Sequence, residues 1–244
     1  MSEGPHGGGR SGMVVYGRNA VREALRGRRA VRRVWVTSAV AGESWLEGVE
    51  TEVADPAGLE ERCGSPDHQG ACAEAAPYPY ACPDRLLEAP EAVVLCLDQV
   101  QDPRNLGAIC RVAECGGAAG VVIPERRAAE VTPVVCRTSA GAVEHLRVAR
   151  VRNVADWLGE AKATGAWVYG AATNPEAQPW DAPDYGGRVV LVLGSEGTGL
   201  RPRVAATCDA LVALPVLGRV ESLNVAAAAA ALLYGILQNR RTRP

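Results

Sequence analysis

The feature of this 244-residue sequence that most restricts its fold is a regular alternation of short apolar segments and amphipathic segments from residue 92 onward. Runs such as VVLCL, GVVIP and VVLVL are nearly continuous and rich in Val, Ile and Leu, as are strands that are buried on both faces. Segments between them, such as residues 105–115, carry apolar residues at helical spacing. Strands that alternate with helices predict an α/β fold with a mostly parallel sheet, covered on both faces.

The sequence before this region predicts a separate and smaller α/β domain. Residues 1–12 are rich in Gly and contain no apolar core, so we expect a flexible tail and no signal peptide. Residues 13–80 carry one basic helix pattern and several short strand patterns. Prolines close to the end of this domain interrupt regular structure, which predicts a linker at residues 81–91. The larger domain is expected to occupy residues 92–244.

The composition argues against several classes of protein. The 48% apolar and 22% charged residues are typical of a globular protein. No apolar run reaches the roughly 18–20 residues of a membrane helix, so we expect a cytoplasmic protein without a membrane partner. The eight cysteines include no C-x-x-C pair and the three histidines are scattered. We therefore expect reduced, buried cysteines and no metal site.

Basic residues are concentrated at the start of the first domain. Seven arginines and one acidic residue lie between residues 13 and 33, although the whole chain has a net charge of −2. Four of these arginines are spaced to share one helix face: Arg18, Arg22, Arg26 and Arg29. Such a face suits RNA phosphates. A solvated charged face, or the codon bias of a GC-rich genome, would give the same pattern.

Two polar loops of the larger domain directly follow predicted strands. The first lies in LDQVQDPRNLGAICR (residues 97–111), where Asn105 opens a helix and Arg111 falls off that helix's buried stripe. By spacing alone, Arg111 faces a cleft, a partner subunit or solvent. The second lies in VLGSEGTGLRP (residues 192–202), where three glycines surround Glu196 in a turn. Open α/β sheets bind ligands at such strand ends.

The glycine-rich turn does not match a nucleotide-binding loop. Its pattern, G-x-x-G-x-G, differs from the dinucleotide fingerprint and from the phosphate loop with its Lys. The carboxylate of Glu196 would also repel a phosphate. A nucleotide-dependent enzyme is therefore disfavoured.

A third polar loop precedes a helix with six consecutive alanines, residues 226–231. Ser222 and Asn224 offer a hydroxyl and an amide beside the start of that helix, while Leu214 and Leu223 provide apolar walls. Small residues on the helix allow another backbone to approach closely. Three such loops after three strands of one sheet predict a functional site.

Together, the three loops resemble, in order and spacing, the three motifs of the SpoU/TrmH family of RNA ribose 2′-O-methyltransferases in the SPOUT superfamily. YGRNAVREAL and HQG in the first domain resemble the L30e-like RNA-binding domain of the subgroup that modifies a guanosine of bacterial 23S rRNA. The resemblance covers nearly the whole chain beyond residue 12. It implies S-adenosylmethionine as cofactor, RNA as substrate and a homodimer through the larger domain. It also implies a deep trefoil knot there, which periodicity does not predict.

The resemblance further implies roles for individual residues. Arg111 corresponds to the family's proposed general base or electrostatic activator, although an arginine normally stays protonated. The other residues implied in catalysis, which would position Arg111, the ribose and the nearby RNA, are Asn105, Glu196, Ser222 and Asn224. The residues implied in cofactor binding are Leu193, Gly194, Leu214, Pro215, Gly218 and Leu223.

The function implied is S-adenosylmethionine-dependent methylation of a ribose 2′-hydroxyl, most specifically in a guanosine of 23S rRNA. A ribose in tRNA, or elsewhere in rRNA, is the alternative within this class. A non-catalytic RNA-binding or ribosome-assembly protein on the same scaffold is the alternative from another class. The presence of all five implied catalytic residues argues against a non-catalytic protein.

Overall fold

The computed structural model describes residues 12–174 and 176–242, and the chain divides after Pro79 into two compact units. The expected tail at residues 1–12 lies outside the described residues except for Gly12. Each unit has its own sheet and its own hydrophobic core.

The first unit is a four-stranded sheet with two α-helices. Its elements are β1 (Met13–Tyr16), α1 (Arg18–Arg26), β2 (Val31–Val36), β3 (Glu52–Val53), α2 (Pro56–Cys63) and β4 (Ala71–Ala75). The strand order is β1-β4-β2-β3, with β4 antiparallel to both of its neighbours and β3 parallel to β2. Val21 of α1 is fully buried and packs in one cluster with Val34 and Val36 of β2. The apolar stripe of α1 thus fixes the helix to the sheet and leaves most of its arginines outside.

The second unit is a seven-stranded sheet with helices between its strands. Its elements are β5 (Val93–Leu97), α3 (Pro103–Cys115), β6 (Gly120–Pro124), α4 (Pro133–Thr138), β7 (Val148–Val151), α5 (Val154–Ala163), β8 (Trp167–Ala171), β9 (Gln178–Pro179), β10 (Val189–Leu193), α6 (Pro202–Thr207), β11 (Ala210–Ala213) and α7 (Val225–Arg241). All strand pairs in this sheet are parallel. Every residue of β5, β6 and β10 is buried, as expected for strands covered on both faces. The predicted α/β fold with a parallel sheet is confirmed.

The order of the strands, β7-β6-β5-β10-β8-β11-β9, determines where a site can form. The chain builds β5, β6 and β7 outward, and β10 later inserts between β5 and β8. Since the strands are parallel, the loops that follow β5, β10, β8 and β11 leave the sheet side by side at one edge. Ligands of open α/β sheets bind at such a reversal of strand order.

The segment predicted as a linker, residues 81–91, packs with the second unit in the structure. Pro83–Leu87 forms a short 3-10 helix, and Leu86 and Leu87 are buried in the core of the second unit. The prolines break regular structure as expected, but they do not prevent the two leucines from packing. The segment is therefore part of the second unit.

Candidate active site

The turn after β10 is a tight hairpin whose entrance accepts only glycine. Ser195 and Gly199 exchange two backbone hydrogen bonds, of 3.1 and 3.0 Å, which close the turn around Glu196. A Cβ on Gly194 would lie 2.2 Å from the carbonyl carbon of Gly199, a distance that no side chain can occupy. Gly197 has a φ of +85°, in the left-handed region that favours glycine. The glycines therefore shape a turn that presents Glu196, and they do not form a phosphate loop.

A cavity of about 210 Å³ opens beside this turn, between the loops after β8, β10 and β11. Six residues implied by the sequence line it: Leu193, Gly194, Glu196, Leu214, Ser222 and Leu223. We name this space the glycine-side cavity. Pro215 and Gly218 do not line it; both lie in the stretch between residues 215 and 224, where every residue is exposed. Their expected place at the cofactor site is thus not supported by the geometry.

Sequence reasoning missed one wall of the glycine-side cavity. Ala171, Ala172 and Thr173 lie at the end of β8 and line the cavity between the two loops that were identified. Their only signal is a strand pattern that ends in small residues. It becomes informative once β8 is known to lie between β10 and β11.

Helix α7 explains the run of alanines. Ala226 and Ala229 are buried, and Ala228 lines the glycine-side cavity. Small side chains at these positions let the helix backbone lie close to the loops at the sheet edge. The helix is therefore part of the site's wall as well as of the core.

Three predicted residues meet in one hydrogen-bonded group, here called the polar cluster: Asn105, Glu196 and Asn224. The Nδ2 atoms of Asn105 and Asn224 donate to Oε1 of Glu196, at 3.1 and 2.6 Å. Asn224 Nδ2 also donates to Asn105 Oδ1 at 2.9 Å, and the Val225 N–H donates to the same Glu196 oxygen at 3.4 Å. These groups come from segments that lie 91 and 28 residues apart in the chain. The convergence expected from the motifs is present.

Asn224 also caps α7. Its Oδ1 accepts from the N–H groups of Ala226 and Ala227, at 2.9 and 3.3 Å. A capping side chain of this kind stabilises a helix by about 1 kcal/mol. Both ends of the Asn224 amide are thus in use, which fixes its orientation toward Glu196.

An ion pair between a buried carboxylate and a partly exposed guanidinium joins two loops of the site. Asp98, at the end of β5, has no exposed surface. Its Oδ2 accepts from the Arg201 backbone N–H at 2.9 Å, and its Oδ1 accepts from Nε and Nη2 of Arg201 at 2.8 and 2.7 Å. This pair ties the loop after β5 to the end of the Glu196 turn.

Arg111 and Ser222 lie outside the polar cluster. Arg111 is exposed on α3, six residues after Asn105, which places it about 9 Å along the helix and about 120° around it. Within residues 12–174 and 176–242, no hydrogen bond or ion pair of Arg111 is formed. Ser222 lines the glycine-side cavity but is not bonded to the cluster. The structure thus gathers three of the five implied catalytic residues directly.

The arginines expected to bind RNA are not equivalent. Arg18 is exposed and pairs with Glu43 at 2.8 Å. Arg22 and Arg26 share Glu23, at 2.9 and 3.4 Å. Each of these three guanidinium groups can still exchange its acidic partner for a phosphate, because each lies at the surface.

Arg29 is a correction to the predicted face, because it is only 6% exposed. Its Nη1 donates to the Ala76 carbonyl at 3.1 Å, and its guanidinium lies 5.7 Å from the ring centre of Tyr78. The predicted spacing assumed that the helix continues, whereas α1 ends at Arg26. Arg29 therefore packs within the first unit and does not share the exposed surface of Arg18, Arg22 and Arg26.

Among the described residues, no helix combines the length and apolar character needed to cross a bilayer. The same residues contain no group of three or more His, Cys, Asp or Glu side chains placed to hold a metal ion.

Comparison with known proteins defines the class. The sequence profile of the SpoU rRNA methylase family matches residues 92–234. The profile described as RNA 2′-O ribose methyltransferase substrate binding matches residues 14–81. The larger domain, with its polar cluster, is thus a methylase domain, and the smaller one is a substrate-binding domain of RNA methyltransferases.

Relatives along nearly the whole chain agree with this class. A Mycobacterium avium protein named as an uncharacterized tRNA/rRNA methyltransferase is 39% identical over 244 residues, which cover 93% of this chain and 78% of the relative. Bacillus subtilis YacO, whose name places it in the TrmH family of tRNA/rRNA methyltransferases, is 37% identical, with 93% and 95% covered. The chain spans 62% of the length of a Synechocystis relative that is 36% identical. The chain belongs to the SpoU/TrmH family of RNA methyltransferases.

Solved structures show the same fold. The SpoU methyltransferase AviRb from Streptomyces viridochromogenes, crystallised with AdoMet, superimposes with a TM-score of 0.80 at 24% identity, over 96% of this chain and 92% of AviRb. A TrmH-family protein from Porphyromonas gingivalis gives a TM-score of 0.76 at 30% identity, with 95% and 91% covered. Both matches extend over the two units of this chain.

Proposed function

We propose that this protein transfers a methyl group from S-adenosylmethionine to a ribose 2′-hydroxyl of RNA. The observation that carries the proposal is the polar cluster at the edge of the glycine-side cavity, in a chain of the SpoU/TrmH family. The cluster brings an oriented carboxylate beside a cavity for a second molecule, as a transfer between two bound reactants requires.

The glycine-side cavity fits the cofactor. Gly194 lines the cavity with backbone atoms alone, while Leu214, Leu223 and Leu232 supply apolar surface for an adenine ring. A site of this kind, mostly apolar with a few polar groups, is typical of cofactor pockets. S-adenosylmethionine supplies a methyl group on a positively charged sulfur. A related SpoU methyltransferase was crystallised with AdoMet, which supports the assignment.

The residues of this chain orient the acceptor. Oε1 of Glu196 already accepts three hydrogen bonds, whereas Oε2 accepts none from the described residues. Oε2 is therefore available to accept a hydrogen bond from the ribose 2′-hydroxyl, and then its proton, as the methyl group moves from sulfur to the hydroxyl oxygen and S-adenosylhomocysteine leaves. We assign Arg111, which lies outside the polar cluster, to stabilising negative charge on the hydroxyl oxygen, because a guanidinium offers hydrogen-bond donors and no acceptor.

The protein acts as a homodimer through its second unit. Ala227, Ala231 and Tyr234 form an exposed apolar row on α7, and the nearby loop exposes Leu217 and Val220. Leu217 is 96% exposed, an unfavourable position for leucine unless another surface covers it. The deep trefoil knot implied by the family resemblance belongs to the same proposal.

The substrate proposed is a guanosine of 23S rRNA, with a tRNA ribose as the alternative. The test is tritium transfer from labelled S-adenosylmethionine to unmodified 23S rRNA and, separately, to bulk tRNA, followed by mapping of the methylated nucleoside. Label in 2′-O-methylguanosine of 23S rRNA is the expected result. Label on tRNA alone overturns the substrate, and label on neither RNA, with the cofactor bound, favours an RNA-binding protein without catalysis.

Arg111→Ala tests the electrostatic role of this residue. Methyl transfer is expected to fall by about 1000-fold, because a single charge-stabilising group typically contributes 10²- to 10³-fold or more. The affinity for S-adenosylmethionine, measured by calorimetry, should change less than about twofold. Arg203→Ala is the control, since Arg203 is exposed and pairs only with the surface residue Asp156. Wild-type turnover in Arg111→Ala would remove Arg111 from the mechanism.

A further inference from the structure

A second cavity lies on the other side of Glu196. Its volume is about 310 Å³, and its lining residues are Gln99, Val100, Gln101, Asp102, Asn105, Ser195, Glu196 and Val225. It shares Ser195, Glu196 and Val225 with the glycine-side cavity. Glu196 thus stands between two spaces, and only one of them is explained by the cofactor.

The two cavities differ in chemistry. Leucine, valine, alanine and glycine predominate in the glycine-side cavity. The second cavity, here called the glutamine-side cavity, is lined mainly by amides and carboxylates. Each glutamine amide offers both donors and an acceptor, which match the edges of a nucleobase. Sequence-specific RNA recognition uses such contacts on bases that have left their helix.

The loop that carries the two glutamines is held rigidly. Asp98 before it is fully buried in its pair with Arg201, and Val100 within it is 4% exposed. The carbonyl of Val100 accepts from the Ala129 N–H at 2.9 Å, which joins this loop to the loop after β6. Gln99 and Gln101, on either side of Val100, are therefore presented from a fixed backbone.

Gln99 also has a strained conformation. Its φ is +64°, in the left-handed region, which costs a residue other than Gly, Asn or Asp about 1 kcal/mol or more. A glycine would avoid that cost, and the cavity would then lose an amide. Strain of this kind is concentrated at functional sites, where a particular side chain has to be presented.

We propose that the glutamine-side cavity receives the target nucleotide, unstacked from its RNA helix, and that the amides of Gln99 and Gln101 recognise its base. The ribose then lies at Glu196, between its own base and the cofactor's methyl group. The inference rests on the proposed function and adds to it the position of the substrate and two residues that determine specificity.

Gln99→Gly gives a sharp test, because glycine accepts the observed φ. The amide is removed without adding strain, so the melting temperature should stay equal or rise. The kcat/KM for the methylated RNA should fall about tenfold or more, while the dissociation constant for S-adenosylmethionine stays within about twofold. Gln99→Asn, which keeps an amide and tolerates the left-handed region, should recover part of the loss.

Gln101→Ala should lower kcat/KM in the same direction, and Gln178→Ala, at the far edge of the sheet, is the matched control. Unchanged kcat/KM in both Gln99→Gly and Gln101→Ala would overturn the inference. Weaker S-adenosylmethionine binding in the same ratio would assign the cavity to the cofactor instead. Failure of the wild-type protein to methylate any RNA would refute the proposed function first, and the inference with it.

Discussion

The polar cluster of the second unit and the arginines of the first unit use hydrogen bonds and charge in different ways. In the cluster, donors from two chain segments converge on one oxygen of Glu196, and the amide of Asn224 is fixed at both ends. On α1 and β2, the arginines each pair with a nearby acid such as Glu23 or Glu74. The first arrangement fixes the position of one carboxylate, as catalysis requires. The second stores basic groups that can change partners, as binding to a flexible polyanion requires.

Removing the carboxylate from the cluster should have the largest effect. In Glu196→Ala, Asn105, Asn224 and the Val225 N–H all lose their common acceptor, and we expect methyl transfer to fall by about 100- to 1000-fold. The melting temperature should change little, because Glu196 is exposed to water. Single-turnover assays and thermal melts measure the two quantities. If Glu196→Ala turned over like the wild type, the cluster would be only structural.

Asp98→Ala should mainly affect folding. The substitution leaves the backbone N–H and the guanidinium of Arg201 without their buried acceptor, which typically costs 3–5 kcal/mol. Because the Arg201 side chain is 43% exposed, water can solvate the freed guanidinium, and we expect the free energy of unfolding to fall by about 2 kcal/mol. Urea denaturation measures it, with Asp156→Ala as control. Asp156 forms an exposed pair, for which about 0–1 kcal/mol is expected. Equal losses of stability in Asp98→Ala and Asp156→Ala would contradict the expectation that burial makes the Asp98 pair the stronger one.

Replacing Arg18, Arg22 and Arg26 together by Gln should weaken RNA binding moderately. Each phosphate contact that is lost lowers the slope of the salt dependence of binding by about one unit. The affinity that these arginines contribute is already reduced by their ion pairs with Glu23 and Glu43. We expect about a tenfold lower affinity and a flatter salt plot, measured by fluorescence anisotropy. Arg29→Gln should lower stability instead and leave the salt slope unchanged. An unaltered slope in the triple variant would mean that these arginines form a solvated charged face and do not bind RNA.

The smallest effect is expected when the cysteines are treated with an alkylating reagent, because the most deeply buried thiols should not react. Burial raises the pKa of the Cys110 thiol to about 12 and raises that of Cys96 well above its usual range. Both thiols therefore stay protonated and unreactive at pH 8, since only the thiolate reacts. Iodoacetamide followed by mass spectrometry should label the exposed Cys82 and Cys115 and leave Cys96 and Cys110 unmodified. Rapid labelling of Cys110 in the native protein would mean that the core around α3 opens readily.

Local patterns predicted the elements well where one physical cause dominates. VVLCL and VVLVL predict buried parallel strands, because a strand covered on both faces needs apolar residues at every position. Asn105, Glu196 and Asn224 were assigned together because the order of three motifs is informative even when each motif alone is weak. Their contacts confirm that they meet, whereas their roles in catalysis stay a prediction.

The same patterns do not predict which distant segments pack side by side. Nothing in residues 165–195 indicates that β10 inserts between β5 and β8, so the wall formed by Ala171, Ala172 and Thr173 was missed. The spacing of Arg29 matched a helix that had already ended. In each case the deciding partner lies far away in the sequence, where composition and periodicity carry no information.

The double use of the Asn224 amide limits how this protein can change over evolution. Its oxygen caps the start of α7 and its nitrogen donates to Glu196, so a substitution of Asn224 by an apolar residue removes both contacts. A lineage or a mutant library that replaces Asn224 by a residue without a side-chain acceptor thus loses the cap of its last helix together with the contact to Glu196. We therefore expect Asn224 to vary less than the residues of the neighbouring loops.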